Sequence, residues 1–326
     1  MTADMTRAIR FHKTGGSDVL SFETVALPSP GPGEVRLRHT AIGVNFIDTY
    51  FRSGLYPTPL PSGLGKEVAG MVEALGEGVT ALKMGDRVAT GSAPNGTYSE
   101  ASNIPAKELV KIPDGVSDEV AAAAMLKGLT AWYLLRETYK VQKGETILIH
   151  SAAGGVGLLA CQWARSLGVT VIGTVGSEAK VAAAREAGAA HVLVLKEGWE
   201  KQVREIAPAG LPVVYDSVGK DTFEASLNCL APRGLMVSFG NSSGAVPPFA
   251  PGVLAAKGSL YLTRPTLFHY IATRPELERA AAELFAVMQS GAVSIAINQR
   301  FALADAKAAH DALEGRKTMG ATVLLP

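Results

Sequence analysis

Ile147-Leu-Ile-His-Ser-Ala-Ala-Gly-Gly-Val-Gly157, followed by Leu158-Leu-Ala-Cys-Gln-Trp-Ala-Arg165, is the stretch of this chain that decides its fold. The apolar β-branched run predicts a buried strand, the small residues predict a turn, and the second segment has the pattern of a helix. Ala152, Gly154 and Gly157 occupy the three positions of a G-x-G-x-x-G fingerprint, in which small residues let backbone N–H groups approach a pyrophosphate. The stretch therefore predicts a dinucleotide site at the start of a helix, with a purely structural turn as the alternative.

The composition is typical of a globular chain with two domains. The 326 residues exceed the size at which single cores stop growing, and 47% of them are hydrophobic. A net charge of +1, with both signs interspersed, gives no basic face large enough to suggest nucleic-acid binding as the main activity. The two cysteines, Cys161 and Cys229, stand in apolar surroundings and predict buried thiols. With neither a signal-peptide pattern nor an apolar run long enough to cross a bilayer, we expect a cytoplasmic protein without a membrane partner.

The pattern of predicted secondary structure changes near residue 121. Before it, Gly and Pro separate short alternating runs, which predict a mainly β domain. After helical stretches at Ala121–Leu126 and Thr130–Arg136, strands alternate with helices, which predicts a parallel sheet. The strands expected in that sheet are Thr146–His150, Thr170–Thr174, His191–Leu195, Val213–Asp216, Leu235–Phe239 and Leu260–Thr263. Beyond Pro265 we expect helices through Glu276–Met288 and Asp305–Leu313, and strands at Gln299–Ala302 and Ala321–Leu325.

The end of the second strand of this sheet bears on the choice between NAD and NADP. An NAD site carries Asp or Glu about 20 residues beyond the glycines, whereas an NADP site replaces that acid with a cation. Here the strand ends in Gly173-Thr-Val-Gly-Ser177 without an acid at its tip. Glu178 comes next, but Ser177 and Lys180 together could hold a 2′-phosphate. We favour NADP, and the alternative is that Lys180 is an ordinary solvated lysine.

Five segments together carry a family resemblance, namely Ala41–Tyr56, Leu126–Thr130, Ala152–Gly157, Val214–Gly219 and Gly234–Gly244. They resemble the NADPH:quinone oxidoreductases, the zeta-crystallin-like, zinc-free branch of the medium-chain dehydrogenase/reductases, over nearly the whole chain. The resemblance implies an α/β fold that combines a Rossmann doubly wound parallel sheet with a GroES-like mainly β catalytic domain, and a cleft between them. The implied parts are residues 1–125 (catalytic), 126–265 (NADPH-binding) and 266–326, a tail that returns to the catalytic domain.

The zinc-dependent relatives of that family carry metal ligands that this chain lacks. By resemblance, they place a metal-ligand cysteine where this chain has Asn45, and a Gly-His-Glu where this chain has Gly65-Lys66-Glu67. No cysteine precedes Cys161, so the four-cysteine structural zinc lobe is missing too. We expect no metal. A quinone accepts a hydride, or single electrons, without a Lewis acid, so the protein must supply position and hydrogen bonds.

The resemblance also implies site residues. Asn45, Tyr50 and Tyr56 are expected around the nicotinamide and the acceptor, where either tyrosine could donate a hydrogen bond to the developing hydroquinone oxygen. For each tyrosine the alternative is an amphipathic residue at the rim of the core, and a buried Asn45 would need polar partners. Glu67 stands where the family keeps an acid, and a structural ion pair explains it equally well. The expected cofactor-binding set is Asn45, Thr130, Ala153, Gly154, Gly155, Val156, Gly176, Ser177, Lys180, Ser217, Phe239, Asn241, Thr263 and Arg316.

Two positions depart from the family pattern. Many relatives have a tyrosine beside the adenosine phosphate where this chain has Leu195, which leaves Lys180 and Arg316 to bind that phosphate. Lys66 replaces a small hydroxyl residue, and it either attracts an anionic acceptor or points away from the site.

The expected activity is the reduction of a quinone by NADPH. One alternative is the NADPH-dependent reduction of α,β-unsaturated carbonyls, with Tyr56 as the proton donor. Another is a non-catalytic NADPH-binding protein, since a fold alone does not fix a function. The resemblance also implies a homodimer formed through the Rossmann sheets, for which Leu260–Thr263 is the natural edge strand.

Overall fold

The computed structural model describes residues 4–326, which form sixteen strands, ten α-helices and a few shorter turns. The strands are β1 (Asp4–Phe11), β2 (Ser21–Leu27), β3 (Glu34–Val44), β4 (Ser62–Gly63), β5 (Glu67–Leu75), β6 (Arg87–Thr90), β7 (Ala101–Pro105), β8 (Val110–Lys111), β9 (Thr146–Ile149), β10 (Thr170–Val175), β11 (His191–Val194), β12 (Leu211–Asp216), β13 (Leu230–Ser238), β14 (Tyr261–Thr263), β15 (Ile297–Ala302) and β16 (Ala321–Leu325). The helices are α1 (Phe46–Ser53), α2 (Asp118–Tyr133), α3 (Gly155–Ser166), α4 (Val181–Glu186), α5 (Trp199–Ile206), α6 (Phe223–Asn228), α7 (Gly252–Ala256), α8 (Leu267–Tyr270), α9 (Arg274–Gln289) and α10 (Ala306–Glu314).

These elements divide into two compact units. The first runs to Leu129 and also contains Thr273–Phe285 and Ile295–Pro326. The second contains Thr130–Ala272 and Ala286–Ser294. None of the helices in residues 4–326 combines the length and apolarity needed to span a membrane.

The second unit is built on a six-stranded parallel sheet with the order β11-β10-β9-β12-β13-β14. From β9 the strands are added outward on one side, and β12 then pairs on the other side of β9. The sheet is therefore doubly wound, and its strand order reverses between β9 and β12. Folds of this kind bind ligands beyond the carboxyl ends of the strands at that point. The predicted Rossmann sheet is confirmed.

The four inner strands of this sheet have an apolar core against them. Leu148, Ile172, Val214 and Met236, one from each of four neighbouring strands, are fully buried in the same apolar cluster. Parallel strands that are covered by helices have continuous apolar sequences, which is why these strands could be predicted from the sequence. The start of β13 was predicted too late, at Leu235, because Pro232-Arg-Gly234 has the composition of a turn. Leu230 nevertheless pairs with Leu211 across an irregularity in the ladder.

The first unit is mainly β. Its larger sheet has the order β15-β16-β3-β5-β6-β8, with β7 also paired to β3, and a smaller sheet has the order β2-β1-β4. Along β3, Val35 and Leu37 are fully buried and alternate with the more exposed Arg36 and Arg38. The C-terminal strands β15 and β16 join this sheet through the antiparallel pairing of β16 with β3.

The helical stretches predicted at Ala121–Leu126 and Thr130–Arg136 are not separate. A single helix, α2, covers most of both and continues into a π-helical turn at Leu134–Thr138. Gly128 does not end the helix, because the space beside it is filled by Leu284. A Cβ at Gly128 would lie 2.5 Å from the Leu284 Cδ1 atom.

Candidate active site

The turn between β9 and α3 presents backbone N–H groups. Gly154 is the N-cap of α3, with φ −79° and ψ 173°, and no side chain caps the helix. The first turn of α3 carries no acidic residue. The first N–H groups of a helix have no acceptor within the helix, and its positive dipole end attracts anions. A Cβ at Gly157 would lie 2.2 Å from the Ser151 carbonyl oxygen, so the close approach of helix and turn requires a glycine there.

The end of β10 leaves open space. A Cβ at Gly176 would meet no atom within 4 Å, and Gly176 and Ser177 are both exposed. Glu178 pairs with Lys196 at 3.1 Å. Lys180, the last residue of a short helical turn, is half-buried. The acid-free strand tip, the open volume and the nearby lysine fit an anionic 2′-phosphate, and the uncapped start of α3 fits a pyrophosphate.

The ends of β12 and β13 bring together three further predicted residues. The Ser242 N–H donates to the Ser217 carbonyl oxygen at 3.2 Å, and a Cβ at Gly240 would lie 2.5 Å from that same oxygen. In the orientation that satisfies its amide, Asn241 Nδ2 donates to the Gly240 oxygen and Oδ1 accepts from Arg264 Nη2 at 3.3 Å. Asn241 is thereby tied to the residue that follows Thr263, while Phe239 donates its N–H to the Asp216 carbonyl oxygen.

Two residues of the predicted nucleotide site, and Leu195, where the chain departs from the family pattern, lie elsewhere. Thr130 is buried within α2. Arg316 belongs to the first unit, where it is exposed and has a left-handed φ of 55° just after α10. Leu195 is half-buried against the apolar cluster of the Rossmann sheet.

Asn45 begins α1 and is held on two sides. Its backbone N–H donates to Asp48 Oδ2 at 2.8 Å, and its side-chain Nδ2 donates to Glu67 Oε2 at 2.8 Å. The residue is only 6% exposed. A buried amide needs such partners, and these two bonds fix both the backbone and the side chain of Asn45.

Glu67 forms a buried ion pair that the sequence left open as an alternative. Its carboxylate is fully buried and accepts from Lys127 Nζ at 2.7 Å as well as from Asn45. Its other oxygen accepts from the Leu126 N–H at 2.7 Å. We did not assign a role to Lys127 from the sequence. Its signal was a single charge within the otherwise uncharged Ala121–Thr130.

Tyr50 and Tyr56 form part of an aromatic cluster. Their ring centroids lie 5.3 Å apart in an edge-on arrangement, and the Tyr56 N–H donates to the Tyr50 carbonyl oxygen at 3.0 Å. The ring of Phe51 lies 5.7 Å from that of Tyr56. Lys66 Nζ lies 5.2 Å from the Phe51 centroid and donates to the Ala93 carbonyl oxygen at 3.2 Å. Burial lowers the pKa of Lys66.

Behind Asn45, Asp48 is a fully buried carboxyl group. Its Oδ2 atom also accepts from the Tyr98 hydroxyl at 2.9 Å, while Oδ1 is buried and has no hydrogen-bond partner. Burial raises the pKa of Asp48 to about 7, with Glu67 adding to the increase and Lys127 opposing it. Because this value lies above that of an unfolded aspartate, ionisation of Asp48 lowers stability as the pH rises from about 4 towards 7.

A second part of the same network reaches the surface. Arg52 Nη1 lies 3.0 Å from His310 Nδ1, and the guanidinium makes two bonds, of 2.9 and 2.7 Å, to Glu314. Burial, together with Arg52, lowers the pKa of His310 to about 3. Since a guanidinium only donates, Nδ1 of the neutral ring accepts, and Nε2–H donates to the Tyr98 oxygen at 3.2 Å. The helical i, i+4 spacing of Asp48 and Arg52 is the one signal of this network in the sequence, and it does not identify Tyr98, His310 or Glu314 as partners.

Neither cysteine belongs to these sites. Cys161 and Cys229 are buried thiols, as predicted, and burial raises the pKa of each to about 12. Across residues 4–326, no group of three or more His, Cys, Asp or Glu side chains is arranged to hold a metal ion.

Two protein-family models match separate parts of this chain. Residues 31–114 match the alcohol dehydrogenase GroES-like domain, and residues 155–286 match the zinc-binding dehydrogenase family. The quinone oxidoreductase of Pseudomonas aeruginosa is 55% identical over 325 residues, which cover 99% of this chain and 100% of that protein. A 2-haloacrylate reductase of a Burkholderia species is 46% identical, with 99% of each chain covered. The crystal structure of Escherichia coli quinone oxidoreductase complexed with NADPH superposes with a TM-score of 0.96 at 50% identity, over 98% of this chain and 100% of that one.

Proposed function

This chain belongs to the zinc-free quinone oxidoreductases of the medium-chain dehydrogenase/reductase family, and from that premise we propose that it reduces quinones with NADPH. The observation that carries the choice of cofactor is the acid-free end of β10, where open space beside Gly176 lies close to Lys180 in the chain. The identity to relatives named quinone oxidoreductase supports the choice of acceptor.

On the nucleotide side, we propose that the Rossmann unit holds the cofactor mainly through residues at the carboxyl ends of its strands. The N–H groups of Ala153–Val156 bind the pyrophosphate at the start of α3. Ser177 and Lys180 bind the 2′-phosphate. The remaining contacts come from Gly176, Ser217, Phe239, Asn241, Thr263 and Thr130. When bound, NADPH supplies the hydride, and the chain itself supplies position and charge.

On the acceptor side, we propose that Asn45, Tyr50 and Tyr56 act on the quinone. A tyrosine hydroxyl donates a hydrogen bond to the acceptor oxygen as negative charge develops there. The carboxylate of Glu67 holds the Asn45 amide in one orientation, and the ammonium of Lys127 neutralises that carboxylate. These residues therefore orient the acceptor and stabilise its charge without a Lewis acid.

A second candidate function is the reduction of the double bond of an α,β-unsaturated carbonyl compound. The relative named 2-haloacrylate reductase, 46% identical over the whole chain, favours it. This reaction requires a proton for the α-carbon, and Tyr56 is the proposed donor.

The first stage of the test measures cofactor affinity by nicotinamide fluorescence. We expect wild-type protein to bind NADPH at least about tenfold more tightly than NADH, because the 2′-phosphate gains charge-assisted bonds. Lys180→Gln is expected to weaken NADPH binding about 10- to 100-fold and to leave NADH binding unchanged. The matched control is Lys201→Gln, which removes an exposed lysine of α5. Equal affinity for NADPH and NADH would rule out the proposed phosphate site.

The second stage adds 1,4-benzoquinone and, separately, a 2-enal to the NADPH complex. Oxidation of NADPH by the quinone alone supports the main proposal. Turnover of the enal supports the second candidate, and Tyr56→Phe should then reduce that turnover more than quinone turnover. NADPH binding without turnover of either compound would contradict both activities and leave a binding protein.

We also propose a cytoplasmic homodimer. The strand β14 is an edge of the six-stranded sheet, and Tyr261 on it is 62% exposed. An unpaired edge of this kind can pair with its own copy across a twofold axis. Sedimentation equilibrium of the purified chain measures its mass in solution, and a monomer mass would contradict the homodimer.

A further inference from the structure

A buried hydrogen-bonded cluster joins the ends of three strands of the Rossmann sheet. His150 directly follows β9, Thr174 lies in β10, and Asp216 ends β12. His150 Nδ1 lies 2.7 Å from Thr174 Oγ1, and Nε2 lies 2.9 Å from Ser226 Oγ. Ser226 in turn donates to Asp216 Oδ2 at 3.0 Å. All four side chains are at most 1% exposed, so water does not compete for these bonds.

The direction of each bond in this cluster follows from Asp216. Its Oδ1 atom accepts from the Val218 and Gly219 N–H groups at 2.7 and 3.0 Å, and Oδ2 accepts from Thr222 at 2.7 Å as well as from Ser226. A carboxylate with these four donors only accepts. The hydroxyl proton of Ser226 is therefore committed to Asp216.

The tautomer of His150 follows from that commitment. Because the Ser226 hydroxyl gives its proton to Asp216, the Ser226 oxygen must accept from His150 Nε2–H. The opposite nitrogen, Nδ1, then accepts from the Thr174 hydroxyl. Burial lowers the pKa of His150, which keeps the ring neutral in this arrangement although Asp216 Oδ2 lies 3.9 Å away. The edge-on contact with Trp199, with centroids 5.0 Å apart, holds the ring plane.

Each strand end in the cluster leads into one loop of the proposed nucleotide site. His150 precedes the turn before α3, Thr174 precedes Gly176, and Asp216 precedes Ser217. We propose that His150 is a positioning residue that fixes these three loops relative to one another through its bonds to Thr174 and to the Ser226–Asp216 pair. This inference rests on the proposed binding of NADPH and assigns His150 no contact with it.

The chain offers a matched control in His39. This histidine of β3 is also buried, at 3% exposure, and its two ring nitrogens lie 2.6 Å from the Ser99 carbonyl oxygen and 2.9 Å from Ser102 Oγ. It makes the same number of bonds as His150 but belongs to the first unit. If each histidine only stabilised the fold, replacing either one should have the same effect on NADPH affinity.

The experiment compares His150→Phe, His150→Gln and His39→Phe. We expect both Phe variants to lower Tm, because each leaves buried polar partners unsatisfied. Only His150→Phe should raise the Kd and KM for NADPH, by roughly tenfold or more, with kcat at saturating NADPH nearly unchanged. His150→Gln should recover most of this loss, since its amide can accept from Thr174 and donate to Ser226.

Thr174→Val provides a second route if His150→Phe does not fold. It removes one hydroxyl at nearly constant shape and should raise the Kd for NADPH about threefold. Equal effects of the His150 and His39 variants on NADPH affinity, or an unchanged Kd in both His150→Phe and Thr174→Val, would overturn the inference alone. Wild-type protein that does not bind NADPH would overturn the proposed function, and this inference with it.

Discussion

Glu67→Gln is expected to lower the free energy of unfolding by about 3–5 kcal/mol, because removing one partner of a buried ion pair leaves the other charge uncompensated. The Lys127 and Glu67 side chains are only 6% and 0% exposed, and Nζ lies 2.7 Å from Oε2. An amide at this position would also turn an NH₂ group towards donors, since the Leu126 N–H and the Lys127 ammonium both point at the carboxylate. Equilibrium urea unfolding, followed by fluorescence and circular dichroism, measures the loss.

A double-mutant cycle separates the ion pair from the other contacts of Glu67. We expect the double variant Glu67→Gln/Lys127→Met to lose less stability than the two single variants lose in sum, and the difference should be at least about 1 kcal/mol. The matched control is the surface pair Arg300–Glu119, with atoms 2.7 Å apart and side chains 49% and 37% exposed. Glu119→Gln should cost less than about 1 kcal/mol. Strictly additive losses at Glu67 and Lys127 would show that the pair does not act as a unit.

The same substitution should reduce activity beyond its effect on stability. The Asn45 Nδ2 group donates to the Glu67 carboxylate, and this bond sets the direction in which the Asn45 carbonyl oxygen points. With Gln at position 67, the Asn45 amide can rotate by half a turn, since either end then finds a partner. A proposed acceptor-side residue thus depends on an ion pair that itself touches no substrate.

The parts of the fold that the sequence predicted are those with a local cause. The run from Ile147 to Gly157 announces a strand and a turn, because apolar β-branched residues and glycines act on their own backbone. The continuity of α2 through Gly128 was less predictable. Gly128 has the low helix propensity that suggests a break, but a side chain far along the chain, Leu284, occupies the space it leaves.

For the polar groups of the site, the sequence identified single residues but not the distant residues that they contact. Asn45 was identified as a buried amide that needs partners, but its partner Glu67 lies 22 positions away and Lys127 a further 60. Tyr98 and His310, which contact each other, are separated by 212 positions. Hydrophobic periodicity carries no information on which distant charges meet in the interior. A single charge inside an apolar run indicates a buried charged group that needs a partner, and Lys127 is such a charge.

Gly154→Val is expected to weaken NADPH binding about 100-fold or more while the protein still folds. Gly154 stands at the fingerprint position where the backbone approaches the pyrophosphate, so a side chain there occupies the volume that the phosphates need. Its φ of −79° and ψ of 173° are open to any L-residue. An added Cβ would lie 3.1 Å from the Ser151 carbonyl oxygen, which a shift of a few tenths of an ångström relieves. Fluorescence titration with NADPH measures the affinity, and calorimetry measures Tm.

Two other glycines of the same unit make this result specific. Gly252→Val is the control, because a Cβ at that position meets no atom within 4 Å, and it should change neither affinity nor Tm appreciably. Gly157→Ala places a Cβ 2.2 Å from backbone, so it should lower both Tm and affinity and cannot separate folding from binding. Gly154→Val separates an effect on folding from an effect on binding, because it adds bulk on the side of the turn that faces the proposed phosphates. If that variant binds NADPH within threefold of wild type, the start of α3 does not hold the pyrophosphate, and the glycine turn only connects strand to helix.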